Sequence, residues 1–503
     1  MVRSPVSRTA DDSRLGEIPA FARRHVTVVS LVLFTLLVSF SPGYGYHRDE
    51  LYFRMLGEHP AWGYVDQPPL TPLLARASTA LFGDLLVAVR APAALSAAIL
   101  VVLVALTARE LGGGRTAQLL AAAGVGTGVF TLIAGHSLLT LSADLPLWTA
   151  AVLFILRALL RGDGRWWLAA GTVIGLATYN RHLIALLVIG LAAGLLGAGP
   201  RETLRSPWLW AGALLAVALA TPNLLYQVAN GWPQLEMAAA LSEDKGAEFR
   251  ILYLPMQLVL FGPVAAVLGA VGWLRLRRNR RVRSLAVAYP VAAALTLLSG
   301  GRFDYTAGLI VLLAAAGCVS AEEWAGRRAG RLRTVVIALS ANGVLSAVIA
   351  LPLIPVTALS ATPVPYVNEV ARESVGWEEF ASRVAAVVRG LPAEERARTV
   401  LLAGSYGEAG MLHLAAGRYG LPAVYSGHNH LHLYGPPPES ATVAVAVKMP
   451  RRLLETRFAE CAEAGRTDNG VGVENEFQDL PIFVCRGLRE PWRTAWPRFQ
   501  HYS

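Results

Sequence analysis

The chain has 503 residues, of which 54% are hydrophobic and 16% are charged, whereas soluble domains contain roughly 25% charged residues. Basic residues exceed acidic ones by 45 to 35, and almost all of them are Arg in short segments between long apolar runs. This pattern excludes an ordinary soluble domain and argues against nucleic acid as a partner. It predicts a polytopic protein of the lipid bilayer.

The apolar runs predict about eleven transmembrane helices within residues 26–357. The polar segment 1–25 is predicted to be cytoplasmic. The first run, from Val26 to Pro42, is predicted to be an uncleaved span, because no small-x-small cleavage site follows it before Asp49. The later runs lie at about 86–108, 115–135, 144–160, 166–180, 183–199, 207–226, 253–274, 284–300, 305–321 and 334–357.

The charges of the connecting segments predict the orientation. If the N-terminus lies inside and the spans alternate, the inner segments contain 22 basic residues and the outer loops contain seven. Because cytoplasmic loops collect Lys and Arg, this asymmetry predicts that the first loop, residues 43–85, faces outward.

The first outer loop contains the sequence HRDELYFRMLGEHPAWGYVDQPPLTP, with the adjacent acids Asp49 and Glu50 and a third acid, Asp66. Carboxylates at the edge of a membrane are costly unless they bind a cation, pair with a base or take part in chemistry. We therefore predict a catalytic site here. An ordinary solvated loop is the alternative.

Other polar groups are predicted to face the same side. Arg90, at the start of the second span, is expected either to pair with Asp84 or Asp66 or to extend to the headgroups. The inner loops contain no phosphate-binding glycine motif, so no nucleotide cofactor is expected. The remaining outer candidates are His136, Asp144, Arg181, His182, Arg302, Tyr305 and the connection 227–252 with Arg250.

Residues 358–503 are predicted to form a soluble α/β domain outside the membrane. Helices are expected at 377–389 and 408–417, and strands at 399–403, 442–447 and 482–484. The turn LLAGSYGEAG is interpreted as structural, with phosphate binding as the alternative. The histidines of SGHNHLH are interpreted as surface or packing residues, with metal binding as the alternative.

The chain has three cysteines. Cys461 and Cys485 both fall in the outward domain, where oxidation is allowed, so they are predicted to form a disulfide. Two buried thiols are the alternative. Cys318 is interpreted as a small apolar residue inside a span.

The motif HRDELYFRMLGEHPAWGYVDQPPLTPLLAR, followed by SADLPLW and later by GRFDYTAGLIVLLAAAG, resembles the bacterial proteins of glycosyltransferase family 39. These are relatives of the protein O-mannosyltransferases and the aminoarabinose transferases, and the resemblance covers about residues 25–360. It implies the GT-C membrane fold. It also implies an enzyme that moves a sugar from a polyprenyl-phosphate donor to an acceptor in the cell envelope with inversion, often with a divalent cation such as Mg, Mn or Zn.

The resemblance also implies roles for residues. Asp49 matches the acid of the first-loop motif, Asp66 the acid of the second motif, Asp144 the acid after the third span, and Tyr305 a tyrosine near the donor phosphate. The second motif of the family has a basic residue where this chain has Gln67.

Because Gln67 has no charge, an arginine elsewhere is expected to bind the phosphate, and Arg181, Arg250 and Arg302 are the candidates. Tyr64 and Gln67 are expected to contact the substrate. If a cation is bound, its expected ligands are Asp66 and Asp144, with His136 as a third.

We predict a single displacement in which Asp49 removes a proton from the acceptor hydroxyl. Glu50 is expected to raise the pKa of Asp49 by like-charge repulsion. The expected location is the bacterial inner membrane. The alternatives are a transporter or lipid flippase and a catalytically inactive binding or assembly protein.

Overall fold

The computed structural model describes residues 18–502, so most of the predicted segment 1–25 lies outside the described residues. From Arg23 to Ala350 this part of the chain is almost entirely helical, because its long apolar runs contain many strong helix formers. The helices are α1 (Arg23–Phe40), α2 (Arg48–Glu58), α3 (Leu70–Phe82), α4 (Leu86–Glu110), α5 (Arg115–Gly126), α6 (Val129–His136), α7 (Thr140–Arg161), α8 (Trp166–Ala177), α9 (Ile184–Gly197), α10 (Pro207–Ala229), α11 (Pro233–Val259), α12 (Pro263–Arg278), α13 (Arg283–Leu298), α14 (Ala307–Ala325) and α15 (Arg331–Ala350).

Six helical segments of the described chain are long and apolar enough to cross a membrane. Two bent pairs, α5 with α6 at 60° and α11 with α12 at 91°, raise this number to eight if each pair is one span. Helices α8, α9 and α13 are apolar but have only 10–17 residues. Each predicted run overlaps one of these elements, which confirms a polytopic architecture. The number eleven stays a prediction.

The region 227–252 differs from the prediction of an outer connection. It lies mostly in α11, which continues through Val259 and then breaks before α12. The first half of α11 is polar but rich in the helix formers Ala, Leu and Glu, and Pro233 lies in its first turn. A hydropathy pattern does not detect a polar helix, and this explains the error. The predicted span 253–274 is accordingly divided by a sharp bend.

Close contacts between small residues hold the helices together. A Cβ at Gly272 of α12 would collide with the Leu313 carbonyl of α14, and one at Gly317 of α14 would collide with the Leu268 carbonyl of α12. Such contacts allow the helix backbones to approach closely, which is how membrane helices associate without a hydrophobic driving force. Helix α14 is the central helix, with 83% of its apolar window buried.

The C-terminal part contains a five-stranded sheet in the order β2-β1-β3-β5-β4. Strand β1 is parallel to β2 and β3, whereas β5 is antiparallel to β3 and β4. The predicted helices and strands are present with nearly the predicted bounds. The elements are α16 (Val364–Val367), α17 (Glu369–Arg372), α18 (Trp377–Gly390), α19 (Ala393–Arg396), β1 (Thr399–Ala403), α20 (Tyr406–Tyr419), β2 (Val424–Tyr425), β3 (Val443–Val447), α21 (Arg451–Arg457), β4 (Phe458–Arg466), β5 (Pro481–Leu488) and α22 (Trp492–Ala495).

The cysteines behave as predicted. Cys461 of β4 lies directly opposite Cys485 of β5 in the antiparallel register, and a disulfide joins them. Cys318 is a buried free thiol in α14. The disulfide fastens the edge strand of the sheet to its neighbour, and a bridge of this kind typically contributes about 2–4 kcal/mol to stability.

The turn LLAGSYGEAG is a packing feature. Gly404 contacts the backbone of Lys448 so closely that no side chain would fit there, and the Ser405 hydroxyl accepts a hydrogen bond from the N–H of Gly407 at the start of α20. Both observations favour the structural interpretation of this turn.

Of the three histidines of SGHNHLH, His430 and His432 lie on a 3₁₀ helix formed by residues 429–434, and His428 directly precedes it. His428 stacks on Tyr406, and His432 stacks on Trp496. The Nδ1 atom of His430 accepts a hydrogen bond from the N–H of Val65. Separate partners for the three rings favour packing over shared metal binding.

Candidate active site

The two adjacent acids of the first loop have different environments. His47 caps the N-terminus of α2, and its backbone N–H donates to Glu50 at 2.8 Å, which forms a capping box. The side chain of Glu50 is fully buried and faces Arg90 of α4. Asp49, one position earlier on the helix, points away from this pair, and 31% of its side chain is exposed.

Glu50 and Arg90 form a bidentate ion pair with two 2.8 Å hydrogen bonds, and neither side chain is accessible to solvent. Glu50 also accepts a hydrogen bond from the N–H of Leu138, and Arg90 donates to the carbonyls of Ser41 and Gly45. Every charged atom of the pair therefore has a partner, as a buried ion pair requires. The predicted partners Asp84 and Asp66 are wrong: Asp84 pairs with Arg54 instead.

This burial changes the role of Glu50. Burial alone would raise the pKa of Glu50, but the charge of Arg90 and the hydrogen bonds from Arg90, His47 and Leu138 outweigh it and lower the pKa. Glu50 is thus an ionised structural group that joins α2, α4 and the connection between α6 and α7. The geometry gives it no access to a substrate, in contrast to the prediction of a catalytic role.

Asp49 meets the C-terminal part of the chain. The hydroxyl of Tyr406 in α20 donates a 2.9 Å hydrogen bond to Oδ1 of Asp49. Arg48 lies 3.9 Å from the same carboxylate and donates to Glu369 at 2.8 Å and to Glu476. The carboxylate is therefore fixed by groups from both parts of the chain while one side stays open.

The pKa of Asp49 is lowered. Burial would raise it, but the charges of His47 and Arg48, the hydrogen bond from Tyr406 and the charge of Arg302 together have the larger effect. Burial lowers the pKa of His47 itself, so Arg48, Tyr406 and Arg302 are the groups that act at neutral pH. The prediction that repulsion by Glu50 raises the pKa of Asp49 is wrong, because Arg90 neutralises the charge of Glu50.

Asp66 lies near Asp49 but has different partners. The hydroxyl of Tyr52 donates to one of its oxygens at 3.1 Å, and the amide of Asn429 lies 3.5 Å from the other. Burial raises the pKa of Asp66 to about 7, with a small contribution from the negative charge of Asp49. Asp66 is therefore partly protonated near neutral pH, whereas Asp49 is ionised.

A second cluster lies at the starts of α7 and α14. Arg181 is 3.3 Å from Asp304 and 3.8 Å from Asp144, and its guanidinium lies over the ring of Tyr305 at 5.7 Å. Arg302 donates to Asp304 at 3.1 Å. The structure thus brings Asp144, Arg181, Arg302 and Tyr305 together, as the candidate residues of one site.

The two arginines of this cluster differ in their availability. Arg181 lies between two acids and 17% of its side chain is exposed, whereas 40% of the Arg302 side chain is exposed. The charge of Arg302 also lowers the pKa of Glu369 and of Asp49. Arg302 is therefore close enough to Asp49 for the two charges to interact. Arg302 is the candidate that lies between the two clusters.

The predicted cation ligands do not form one set. Asp66 contacts Tyr52 and Asn429, whereas Asp144 lies beside Arg181. His136 lies within hydrogen-bond distance of the Phe40 carbonyl, at 3.0 Å. Among residues 18–502, no three His, Cys, Asp or Glu side chains are grouped so that they could hold a metal ion. The predicted set of Asp66, Asp144 and His136 is therefore wrong.

Tyr64, Arg250 and His182 use their polar groups outside the two clusters, whereas the buried side-chain amide nitrogen of Gln67 has no hydrogen-bond partner among the described residues. The Tyr64 hydroxyl is buried and donates to the carbonyls of Leu56 and His59. Gln67 is also buried. Arg250 is exposed on α11 and donates to the carbonyls of Leu297 and Leu298 at 3.3 Å. His182 contacts Gln234 and Asn223 at 2.7 Å each.

Several residues of the site were not predicted. Tyr406, Glu369 and Glu476 come from the C-terminal part, more than 300 positions from the first loop in sequence. Tyr52 had a local signal, because it lies three residues after Asp49 and so shares a face of α2. Nothing in the sequence alone placed Tyr406 beside Asp49.

A family model described as dolichyl-phosphate-mannose-protein mannosyltransferase matches residues 66–226, a range that contains Asp66, Asp144 and Arg181. No curated protein matches the chain.

Two solved structures of ArnT from Cupriavidus metallidurans are similar over nearly the whole chain. The structure bound to undecaprenyl phosphate has 15% identity and a TM-score of 0.56, and the match covers 91% of this chain and 97% of ArnT. The apo structure has 14% identity and a TM-score of 0.55, with 92% and 98% covered. The chain therefore has the fold of ArnT, which confirms the GT-C membrane fold implied by its first-loop motif.

Proposed function

We propose that this protein is a membrane glycosyltransferase that moves a sugar from a polyprenyl-phosphate donor to an acceptor in the cell envelope. One observation supports this most directly: an ionised, partly exposed carboxylate, Asp49, lies within electrostatic reach of the exposed arginine Arg302. A base and a phosphate-binding group at one site are what sugar transfer from a lipid phosphate requires. The ArnT structure that shares this fold contains undecaprenyl phosphate, which agrees with such a donor.

The proposed reaction is a single displacement at the anomeric carbon, with inversion. Asp49 accepts the proton of the acceptor hydroxyl as its oxygen bonds to the sugar. The bond to the donor phosphate breaks at the same time, and Arg302 stabilises the charge of the departing phosphate. A phosphate monoester dianion is a good leaving group and needs no general acid. No step is assigned to a cation, because the predicted ligands do not come together.

An apolar cavity supports a lipid-linked donor. It has a volume of about 540 Å³ and lies between α8, α9 and α10. His182, which follows Arg181 in the chain, is one of the lining residues, as are Gln227 and Trp232, and most of the other lining residues are apolar. A chain attached to a phosphate near Arg181 and Arg302 could extend into this space, where apolar burial would favour binding.

The position of the site agrees with a reaction at the membrane surface. Asp49 follows the end of α1, Asp144 lies in the first turns of α7, and Arg302 precedes α14. We place this end of the helices, and residues 358–503 with it, outside the inner membrane of a bacterium, because the basic residues are concentrated in the opposite connections.

The distribution of charge favours this function over a transporter or flippase. In the six long candidate spans of the described chain, charged side chains occur only in the first or last five residues. A transport pathway usually places ionisable groups near the midplane of the bilayer. Here the charges lie at the ends of the spans, and the candidate residues Asp49, Asp144 and Arg302 lie at the same end.

The test compares turnover and donor binding in one variant. Asp49→Asn keeps the size of the side chain and an oxygen for the Tyr406 hydroxyl, but it removes the base. We expect turnover to fall at least about 100-fold with polyprenyl-phospho-hexose or polyprenyl-phospho-pentose donors. The affinity for polyprenyl phosphate is expected to stay within about threefold of the wild type.

Asp84→Asn is the matched control, because Asp84 is an exposed acid of the same loop that pairs with Arg54. It is expected to leave turnover unchanged. Substantial turnover by Asp49→Asn would remove Asp49 as the base and make Asp66 the next candidate. No transfer by the wild-type protein from any such donor, together with lipid or solute translocation in vesicles, would contradict the proposed function.

A further inference from the structure

The C-terminal part of the chain packs directly against the helix that contains Asp49. A Cβ at Gly407 would lie 2.8 Å from Cβ of Arg48, and a Cβ at Gly410 would lie 2.7 Å from Cβ of Leu51. Glycine at these two positions therefore allows α20 to approach α2 closely. Since Asp49 lies between Arg48 and Leu51 on α2, this contact fixes the position of α20 relative to the carboxylate.

Tyr406, the first residue of α20, is held in place on both faces of its ring. It stacks on Tyr52 with ring centroids 4.5 Å apart and on His428 with centroids 4.9 Å apart. Its backbone N–H also donates to Nδ1 of His428 at 3.1 Å. The ring fixed in this way donates its hydroxyl hydrogen bond to Asp49 at 2.9 Å.

Ionic contacts reinforce the same junction. Arg48 pairs with Glu369 and Glu476, and Lys448 pairs with Glu476 at 2.8 Å and with the buried Glu408 at 3.1 Å. The two Arg48 pairs join α2 to two segments of the C-terminal part, and Lys448 ties one of these segments, through Glu476, to Glu408 of α20. The junction is therefore suited to holding one hydrogen bond at a constant geometry.

We propose that Tyr406 is a positioning residue of the active site, through which the C-terminal part of the chain orients the Asp49 carboxylate. This inference rests on the proposed function, in which Asp49 is the base. It goes beyond that function by giving the C-terminal part of the chain a contribution to the catalytic step.

The effect on pH dependence follows from the groups around Asp49. A base acts in its ionised form, so activity rises with pH through the pKa of Asp49. The Tyr406 hydroxyl donates to the carboxylate and lowers that pKa, so its removal raises the pKa and moves the acidic limb of the profile to higher pH. The other charged or titratable groups that act on Asp49 or lie beside it are His47, Arg48, Asp66, Arg302 and Glu369.

The test is Tyr406→Phe, which keeps the stacked ring and removes only the hydroxyl. In the full-length protein we expect the acidic limb of the kcat profile to move upward by about one pH unit, the value that corresponds to loss of one hydrogen bond. At neutral pH kcat is expected to fall roughly tenfold, while KM for the polyprenyl-phosphate sugar changes less than twofold.

Tyr419→Phe is the matched control at the other end of α20. The hydroxyl of Tyr419 lies 3.5 Å from Glu378, far along the helix from Asp49. This variant is expected to keep both kcat and the wild-type pH profile. An equal Tm for the two variants would show that the change at Tyr406 does not arise from loss of folding.

The outcomes separate this inference from the proposed function. If Asp49→Asn is inactive while Tyr406→Phe keeps the wild-type kcat and acidic limb, Tyr406 has no positioning role and only this inference fails. If Asp49→Asn retains turnover, the proposed base is wrong whatever the result at Tyr406. A lower kcat for Tyr406→Phe with an unshifted acidic limb would also overturn the inference, because it would indicate a general loss of structure.

Discussion

The substitution Glu50→Gln tests whether the two adjacent acids have different roles, with Glu50 structural and Asp49 catalytic. Oε1 of Glu50 accepts hydrogen bonds from Arg90 and Leu138, and Oε2 accepts from Arg90 and His47, all at 2.8 Å. A glutamine keeps one of these oxygens and replaces the other with an NH₂ group. That NH₂ group would face two donors, so two hydrogen bonds are lost and Arg90 becomes an unpaired charge.

The magnitude follows from the complete burial of the pair. Removal of one partner of a buried ion pair typically costs about 3–5 kcal/mol, because the other charge stays buried without compensation. Arg90 keeps its contacts with the carbonyls of Ser41 and Gly45, which favours the lower end of this range. The unfolding entropy of about 2.1 cal/mol/K per residue amounts to about 1 kcal/mol/K for a chain of 503 residues, so a loss of about 3 kcal/mol would lower Tm by roughly 3 °C.

The measurement is the thermal unfolding of the purified protein, followed by size-exclusion chromatography and turnover of the folded fraction. Asp49→Asn is the matched control. It should melt within about 1 °C of the wild type, because its side chain is partly exposed and keeps an acceptor for Tyr406. If Glu50→Gln melts like the wild type and loses turnover, the structural role assigned to Glu50 is wrong, and the sequence-based assignment to catalysis would be restored.

Two further predictions concern the donor. Arg302→Ala should weaken the binding of polyprenyl phosphate about 10- to 100-fold, the range expected for a charge-assisted hydrogen bond. Arg250→Ala is the control and should have little effect, because Arg250 donates only to backbone carbonyls. The reverse result would place the phosphate beside α11. Ala213 lines the cavity, and Ala213→Trp should raise KM about tenfold for a long-chain donor and leave it unchanged for a short-chain donor. Ala218 is an exposed residue of the same helix outside the cavity lining, and Ala218→Trp should change neither KM. Equal effects of Ala213→Trp on both donors would argue against a lipid chain in the cavity.

Local patterns predicted much of the fold. Long apolar runs identified the helices of the membrane part, and alternating short elements identified the C-terminal helices and strands. The disulfide between Cys461 and Cys485 was predicted because both cysteines were expected outside the membrane, where oxidation is allowed. Helix α11 was missed because it is polar over its first half, so the hydropathy that identified the other helices was absent there.

The site was predictable only where its residues are close in sequence. The first-loop motif placed Asp49 and Asp66 in one region, and the resemblance placed Asp144 and Tyr305 there as well. The hydrogen bond between Tyr406 and Asp49 joins residues 357 positions apart, and its geometry depends on the glycine contacts between α20 and α2. No local pattern contains that information. The partner of Arg90 was missed for a similar reason, since a charge in an apolar run does not identify its partner.

The geometry of α2 explains why the two neighbouring acids have opposite roles. Consecutive residues of an α-helix point about 100° apart, so two adjacent side chains cannot face the same neighbour. With Glu50 directed at Arg90 in α4, Asp49 is directed at Tyr406 in α20. The buried pair fixes the rotation of α2, and that rotation presents Asp49 to the open side of the site. The Asp-Glu order therefore matters: if the two residues were exchanged, the acid facing Arg90 would be an Asp, whose side chain is one methylene shorter and would not keep both 2.8 Å hydrogen bonds without a movement of α2.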